Sequence, residues 1–87
     1  MKNRRSEIEI ISKILDVTNG GAKKTEILYQ GNLSYRQLQD YLTYLIDKNI
    51  IEEEYIKDNG NSHKLYKTTE KGFNVLIDIN RLLLKLG

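Results

Sequence analysis

Apolar residues near the start of the chain recur at intervals of three and four positions, which is the spacing of one face of an α-helix. The residues that share this face are Ile8, Ile11, Ile14 and Leu15, and Ile10 and Val17 widen it. Ser6 and Glu9 have the spacing of a capping box, in which each side chain caps the backbone of the other residue. Asn19, Gly20 and Gly21 are typical of a helix end. The pattern predicts a first helix between these two signals.

A shorter helix is predicted to follow. It runs from about Lys23 or Thr25 to Gln30 and ends at Gly31 and Asn32, because glycine and asparagine readily take the left-handed conformation found at helix ends. The turn after it is short, so the next helix must lie close beside it.

The third predicted helix has the most regular pattern. Ser34 is a suitable N-cap, and Gln37 stands where the reciprocal side chain of a capping box belongs. One face is apolar and is assigned to the core; it is formed by Leu38, Leu42 and Leu45, with Tyr41 beside them. The opposite face is polar, formed by Tyr35, Arg36, Gln39, Asp40, Thr43 and Tyr44. Such side chains can reach base edges or phosphates, although the polar face of any surface helix looks similar.

After Asn49 the periodicity changes. Residues 50–57 are rich in β-branched and aromatic side chains and predict a strand, residues 58–62 form a turn cluster, and residues 63–68 predict the returning strand. Thr68 or Thr69 is then placed to cap a last helix, which runs to Leu86. The predicted fold class is α+β and mainly helical, with three helices, a β-hairpin and a fourth helix.

The last helix is apolar over more of its circumference than a small domain can cover. The side that the domain is predicted to cover carries Phe73, Leu76, Ile77, Asn80, Leu83 and Leu84. A second strip, which would stay exposed, carries Val75, Ile79, Leu82 and Leu86. Since one patch of a two-fold dimer can cover itself, we predict a homodimer. The predicted interface residues are Val75, Ile79, Leu82, Leu83 and Leu86. Asn80 is placed to fix the register of the pair. A helix lying on a membrane is the rival interpretation, which the shortage of Lys and Arg on the polar arc disfavours.

The composition narrows the possible chemistry. The chain has 87 residues, no Cys and one His, which excludes disulfides, thiolate sites and a histidine metal cluster within one chain. No residues suggest a nucleophile with its base and orienting group, so we predict no enzyme, no cofactor and no small-molecule substrate. The formal net charge of +2 permits nucleic-acid binding without demanding it. Without an apolar stretch of membrane-spanning length, the protein is predicted to be cytoplasmic.

Four segments of the chain, residues 21–27, 32–38, 41–45 and 66–72, occur in a familiar order and spacing. Through them the sequence resembles the archaeal winged-helix regulators, the group that includes small chromatin-associated winged-helix proteins of Sulfolobus-like organisms. The resemblance implies a winged helix-turn-helix, with a DNA-binding domain at residues 1–69 and a dimerisation helix at residues 70–87. It also implies that the helix after Ser34 enters the major groove and that the hairpin, or wing, touches the flanking DNA backbone. The last helix is shorter than the long coiled coil of the chromatin-associated members.

On this interpretation three regions supply candidate DNA contacts: the start of the second helix, the exposed face of the third, and the wing. The candidates are Lys23, Lys24, Ser34, Tyr35, Arg36, Gln37, Gln39, Asp40, Thr43, Tyr44, Lys57, Asn59, Asn61, His63 and Lys64. Arg36 is foremost, because its planar guanidinium suits guanine and phosphate alike; an ion pair with Asp40 one turn later is the alternative. The lysines are expected at phosphates, and Lys2, Arg4 and Arg5 can add a basic arm.

An acidic run in the first strand is unfavourable beside phosphates. Residues 52–54 are all glutamate, so the run is expected to face away from DNA or to pair with Lys64 or Lys67 across the hairpin. Two functions follow from these patterns. The first is sequence-preferring or nucleoid-type binding of double-stranded DNA by a homodimeric transcriptional regulator. The second, which the acidic run favours, is a winged-helix module that binds a protein in a transcription or replication assembly without touching DNA.

Overall fold

Three helices, a β-hairpin and a fourth helix follow one another along the chain, in the order that the sequence predicts. The computed structural model describes residues 6–86. The helices are α1 (Glu7–Val17), α2 (Lys24–Gly31), α3 (Tyr35–Asp47) and α4 (Glu70–Leu86), and the strands are β1 (Ile51–Asp58) and β2 (Asn61–Thr68). The prediction of a mainly helical α+β chain with a winged helix-turn-helix arrangement is confirmed.

Side chains at the helix starts hold the first turns in place. Ser6 caps α1 and Ser34 caps α3, and in each case the residue three positions later returns a hydrogen bond to the cap backbone. At α4 the Gly72 N–H donates to Thr69 Oγ1 over 2.9 Å, so the second of the two candidate threonines is the cap. Asn32 ends α2 in the left-handed conformation, with φ of 53°.

The hydrophobic core lies where the helices meet the base of the hairpin. Its buried apolar side chains are Ile10, Ile14, Leu15, Ala22, Ile27, Leu33, Leu38, Leu42, Leu45, Ile51, Tyr66 and Leu76. Tyr41, which the sequence also assigns to the core, packs against it half-buried. The assignment of Ile8 to the core face of α1 is wrong, because Ile8 stays 37% exposed while Ile10 is buried. The buried face of α1 is therefore rotated toward Ile10.

The strands of the hairpin extend further than the turn cluster suggests. β1 and β2 pair antiparallel along their whole length, which reduces the expected turn at residues 58–62 to Asn59 and Gly60. Both loop residues have positive φ, 51° and 84°, as in a type I′ turn, whose twist matches that of the strands. The returning strand accordingly begins at Asn61.

Two long-range contacts absent from the sequence predictions tie the hairpin to the end of α1 and the segment after it. Ala22 and Tyr66 exchange backbone hydrogen bonds of 2.9 and 2.8 Å, which form an isolated antiparallel β-bridge beside β2. Deeper in the core, the hydroxyls of Thr18 and Thr68 lie 2.8 Å apart, and Thr68 donates to the Leu15 carbonyl over 2.9 Å. Because these buried polar groups satisfy one another, they hold the end of α1 against the end of β2.

The first half of α4 packs on the core, and the second half is largely exposed. Leu76 is buried, and Val75, which the sequence assigns to the dimer interface, packs partly against the core of its own chain. The sequence places Phe73 and Leu84 on the side that the domain covers, and this is wrong: they are 46% and 82% exposed. The apolar surface left uncovered on α4 therefore differs from the predicted strip.

The other predicted interface residues divide into an exposed pair and a half-buried pair: Leu82 (40% exposed) and Leu86 (73% exposed), then Ile79 and Leu83. Asn80 Oδ1 accepts a hydrogen bond from Ser12 Oγ of α1 over 3.3 Å, so this amide oxygen has a partner within the chain. Since α4 contributes Leu76 to the common core, the boundary between residues 69 and 70 does not separate two cores. A dimerisation role for residues 70–87 stays a prediction.

Candidate nucleic-acid interface

The third helix is anchored by one face and exposes the other. Leu38, Leu42 and Leu45 are at most 3% exposed, and their burial in the core sets the rotation of α3 about its axis. The predicted contact residues of the opposite face are all exposed: Tyr35, Arg36, Gln39, Asp40, Thr43 and Tyr44. The polar face that the sequence predicts is therefore accessible along the helix.

Two predicted contact residues are already engaged in capping α3. Ser34 Oγ accepts a hydrogen bond from the Gln37 N–H over 3.1 Å, and Gln37 Oε1 accepts one from the Ser34 N–H over 3.0 Å. Both residues remain exposed. Their side chains fix the first turn of α3, and a helix start is where an anionic group is favoured.

A lysine of α2 reaches across to α3. Lys24 Nζ donates to Gln39 Oε1 over 2.7 Å and lies 5.7 Å from the centre of the Tyr35 ring. The sequence predicts Lys24 at a phosphate, whereas the structure brings it to two of the predicted contact residues of α3. Its neighbour Lys23 is exposed at the start of α2. Adjacent lysines therefore have different surroundings.

Arg36 is exposed in the first turn of α3. The alternative role considered for it, an ion pair with Asp40, is not formed: within residues 6–86 the structure gives Arg36 no ion pair. At the C-terminal end of α3, the Nζ of Lys48 lies 5.8 Å from the centre of the Tyr44 ring. A positive charge therefore also lies near this end of the exposed face. The guanidinium of Arg36 is available to an external acceptor.

In the wing, Lys64 makes defined contacts. Its Nζ lies 3.4 Å from Glu53 Oε2 and 5.5 Å from the centre of the Tyr55 ring. Tyr66 first, and Glu53 second, raise the pKa of Lys64 above its ordinary value of 10.5, because nearby negative charge favours the protonated ammonium group. The expected pairing of the acidic run with a lysine across the hairpin is confirmed by this contact.

The remaining predicted wing contacts are the exposed Lys57, Asn59 and Asn61 and the half-buried His63. Tyr55 is a further candidate that the sequence predictions omit, and it is 70% exposed. It lies directly opposite Lys64 in the register of the strands and therefore on the same face of the hairpin as Lys57. The alternation of the strand contains this signal, but only once the register is known. Glu52 and Glu54 are exposed on the other face.

Other kinds of site find little support in the described part of the chain. An open groove of about 460 Å³ separates α1 from α3 and is lined by Glu7, Ile11, Gln37, Asp40, Tyr41 and Tyr44. Residues 6–86 contain no group of His, Asp and Glu arranged to hold a metal ion. None of the helices described there has both the length and the hydropathy needed to cross a bilayer. Lys2, Arg4 and Arg5, the predicted basic arm, lie outside the described residues.

A short helix followed by a capped, exposed helix and then a hairpin defines a helix-turn-helix protein with a wing. The wing and the exposed helix share one core. A family model described as winged helix-turn-helix matches residues 4–86, and the chain belongs to this family. The prediction that the protein is not an enzyme is confirmed by this membership.

Two uncharacterized proteins of Methanocaldococcus jannaschii are similar in sequence. The chain is 28% identical to MJ0287 over 81 residues, which cover 92% of this chain and 78% of that protein. It is 37% identical to MJ0290 over 70 residues, which cover 79% of this chain but only 29% of that longer protein. These archaeal relatives agree with the resemblance drawn from the sequence.

Two solved structures are similar in fold. Sso10a-2, a DNA-binding protein from Sulfolobus solfataricus, superposes with a TM-score of 0.78 at 25% identity, covering 91% of this chain and 79% of that one. The diamide-treated YodB of B. subtilis superposes with a TM-score of 0.72 at 22% identity, covering 94% of this chain and 77% of that one. The predicted resemblance to the archaeal winged-helix group is confirmed, while the YodB likeness is one of fold alone.

Proposed function

We propose that this protein binds double-stranded DNA as a homodimer and acts as a transcriptional regulator or nucleoid factor in the cytoplasm. The observation that carries the proposal is the exposed polar face of α3, on which Arg36 has no ion pair within the described residues. Family membership and the likeness to a DNA-binding protein of Sulfolobus solfataricus support the same assignment. In helix-turn-helix proteins the second helix of the motif reads the major groove.

In this proposal the affinity comes mainly from phosphate neutralisation. Lys23 lies at the start of α2, Arg36 lies in the first turn of α3, and Lys57 supplies a cation in the wing, where Lys64 is paired with Glu53. Each phosphate that a cation neutralises releases condensed counterions, so the logarithm of the binding constant falls by about 0.9 for each tenfold increase in salt. Base choice comes from the side chains that can hydrogen-bond in the groove, chiefly Arg36, Gln39 and Thr43.

Replacing Arg36 tests the DNA-binding role directly. We expect Arg36→Gln to bind mixed duplexes more weakly and to reduce the salt slope by about 0.9 if Arg36 contacts a phosphate. If Arg36 contacts guanine, the variant should instead lose about 1–3 kcal/mol on the preferred sequence alone. Fluorescence anisotropy over a salt series measures both quantities.

The matched control is Lys13→Gln, which removes the same charge from the groove between α1 and α4, away from the polar face of α3. It should leave the slope and the base preference unchanged. Equal losses in the two variants would show that net charge, and not the face of α3, governs binding. Failure of the unmodified protein to bind duplex DNA at low salt would refute the proposal.

The dimer is proposed from the exposed apolar side chains of α4. Phe73, Leu82, Leu84 and Leu86 are 46%, 40%, 82% and 73% exposed. Phe73 and Leu84 lie on one side of α4, and Leu82 and Leu86 lie on the other, so a helix pair covers one of these two pairs. At about 1.5–3 kcal/mol for a fully buried side chain, covering either pair on both protomers would contribute roughly 3–8 kcal/mol. That contribution is comparable to the lower estimates for the cost of association, about 4 kcal/mol and upward.

A double replacement tests this surface. We expect light scattering to give the monomer mass of 10.2 kDa for the double variant Leu84→Lys, Leu86→Lys, and twice that mass for the unmodified chain. Tyr29→Lys, at an 89% exposed position on α2, is the control and should stay dimeric. A monomeric unmodified chain at micromolar concentrations would contradict the dimer proposal.

The second candidate function is a protein–protein module, and the acidic surface of β1 favours it. Glu52 and Glu54 are exposed on the face of the hairpin opposite Tyr55, and neither forms an ion pair within residues 6–86. A surface of this kind suits a basic partner. Absence of duplex binding at low salt, together with a normally folded chain, would favour this second function.

A further inference from the structure

The contact between α2 and α3 bears on base choice as well as affinity. Lys24, the first residue of α2, is half-buried, and its Nζ lies 2.7 Å from Oε1 of the exposed Gln39. The ammonium group of lysine donates hydrogen bonds and cannot accept them. The atom of the carboxamide that faces Lys24 is therefore its oxygen.

The Tyr35 ring supports Lys24 from a second direction. Nζ lies 5.7 Å from the ring centre, within the range of a cation–π contact. Tyr35 and Gln39 are one turn apart on α3, so their side chains are neighbours on the same face. Two contacts on one helix surface, both made by a cation from the other helix, restrict where the carboxamide of Gln39 can point.

An amide held in this way presents its NH₂ group outward. To read adenine with two hydrogen bonds, glutamine must donate to N7 and accept from the N6 amino group. With its oxygen turned toward Lys24, Gln39 lacks the outward acceptor that the second bond requires. Guanine presents two acceptors, N7 and O6, in the major groove, and these suit an outward NH₂ group.

We propose that Lys24 is a positioning residue that makes Gln39 a donor-only reader and biases it toward guanine and against adenine. The proposal deepens the DNA-binding function proposed above and rests on it. Lys24 acts here through Gln39, by fixing the orientation of the carboxamide. Its own charge contributes to affinity in the same way as that of any nearby lysine.

The test is selection of bound duplexes from a random pool. Gln39→Ala first identifies the base position that Gln39 reads, as the position whose preference disappears. At that position the unmodified protein should select guanine, and Lys24→Met, which keeps an unbranched side chain but removes the donor, should shift the preference toward adenine by about five- to a hundredfold. Lys24→Arg keeps a donor and should retain guanine.

Lys23→Met is the matched control, since it removes the same charge from the adjacent, exposed residue. It should weaken binding to all sequences and leave base preference unchanged. Circular dichroism and the midpoint of thermal unfolding establish that each variant is folded.

The possible outcomes separate the two proposals. If the unmodified protein binds no duplex, the DNA-binding function fails and this inference fails with it. If it binds but Gln39→Ala alters no position, or Lys24→Met keeps the unmodified preference, the inference is overturned while DNA binding stands.

Discussion

Gly72 is the position where a single methyl group should disturb the fold most clearly. It is buried in the first turn of α4, where the helix crosses the backbone between α3 and β1. A Cβ at this position would overlap the carbonyl oxygen of Ile50 and would lie 2.8 Å from Thr68 Cγ2. The Ile50 oxygen cannot easily move aside, because it accepts a hydrogen bond from the Thr69 backbone N–H at 3.0 Å. The Thr69 hydroxyl shares its proton between the Asn49 carbonyl at 2.6 Å and the Ile50 carbonyl at 3.1 Å.

Two opposing effects decide the size of the change on Gly72→Ala. Alanine favours the helical state by up to about 1 kcal/mol over glycine. Overpacking costs about 1–3 kcal/mol, and no rotamer of the new methyl group relieves it. If α4 also shifts, the two hydrogen bonds from Thr69 weaken, at about 0.5–1.5 kcal/mol each, and this cost adds to that of overpacking. We therefore expect a net loss of about 1–5 kcal/mol from a domain of this size, whose total is about 4–13 kcal/mol.

Urea denaturation followed by circular dichroism measures this loss. With a denaturant slope near 1 kcal/mol per molar, the midpoint should fall by about 1 M or more. Both proteins must be compared at one concentration, because association would add to apparent stability. Gly20→Ala is the control: its Cβ would meet no atom within 4 Å, and the midpoint should hardly move. An alanine variant at position 72 as stable as the unmodified chain would refute the close approach of α4 to Ile50.

Two further substitutions test the core and the wing. Thr68→Val preserves the shape of the side chain but removes the buried hydroxyl that donates to the Leu15 carbonyl and contacts Thr18. The free energy of unfolding, measured in urea, should therefore fall by about 1–3 kcal/mol. An unchanged value would show that these hydrogen bonds make no net contribution to stability. Gly60→Ala places a Cβ at φ of 84° and should cost about 1–2 kcal/mol, whereas Asn59→Gly, at φ of 51°, should be nearly neutral by the same measurement.

Features of the fold that depend on neighbouring residues could be predicted from the sequence. The capping boxes at Ser6 and Ser34 involve residues three positions apart, so both helix starts were predictable to the residue. The rotation of α3 followed from its leucines in the same way. The exposed side of α3 in the candidate site follows directly from that rotation.

Features that depend on distant residues could not be predicted in this way. Thr18 and Thr68 are 50 positions apart, and nothing local distinguishes them from solvated threonines. The pairing of Ala22 with Tyr66 likewise requires the register of the hairpin. On α4, helical periodicity groups the apolar residues, but the angle at which the helix meets the core decides which group is covered, and this is why Phe73 and Leu84 were misplaced.

The candidate site shows how such distant contacts change the expected binding. Within residues 6–86, the predicted contact residues include five lysines and arginines: Lys23, Lys24, Arg36, Lys57 and Lys64. The structure pairs Lys64 with Glu53 and directs Lys24 to Gln39. If those two contacts persist on DNA, about three phosphates are neutralised per protomer, and the salt slope should be near −2.7 and not near −4.5. A slope near −4.5 per protomer would mean that both lysines exchange their intrachain partners for phosphate, and Lys24 would then no longer hold the carboxamide of Gln39.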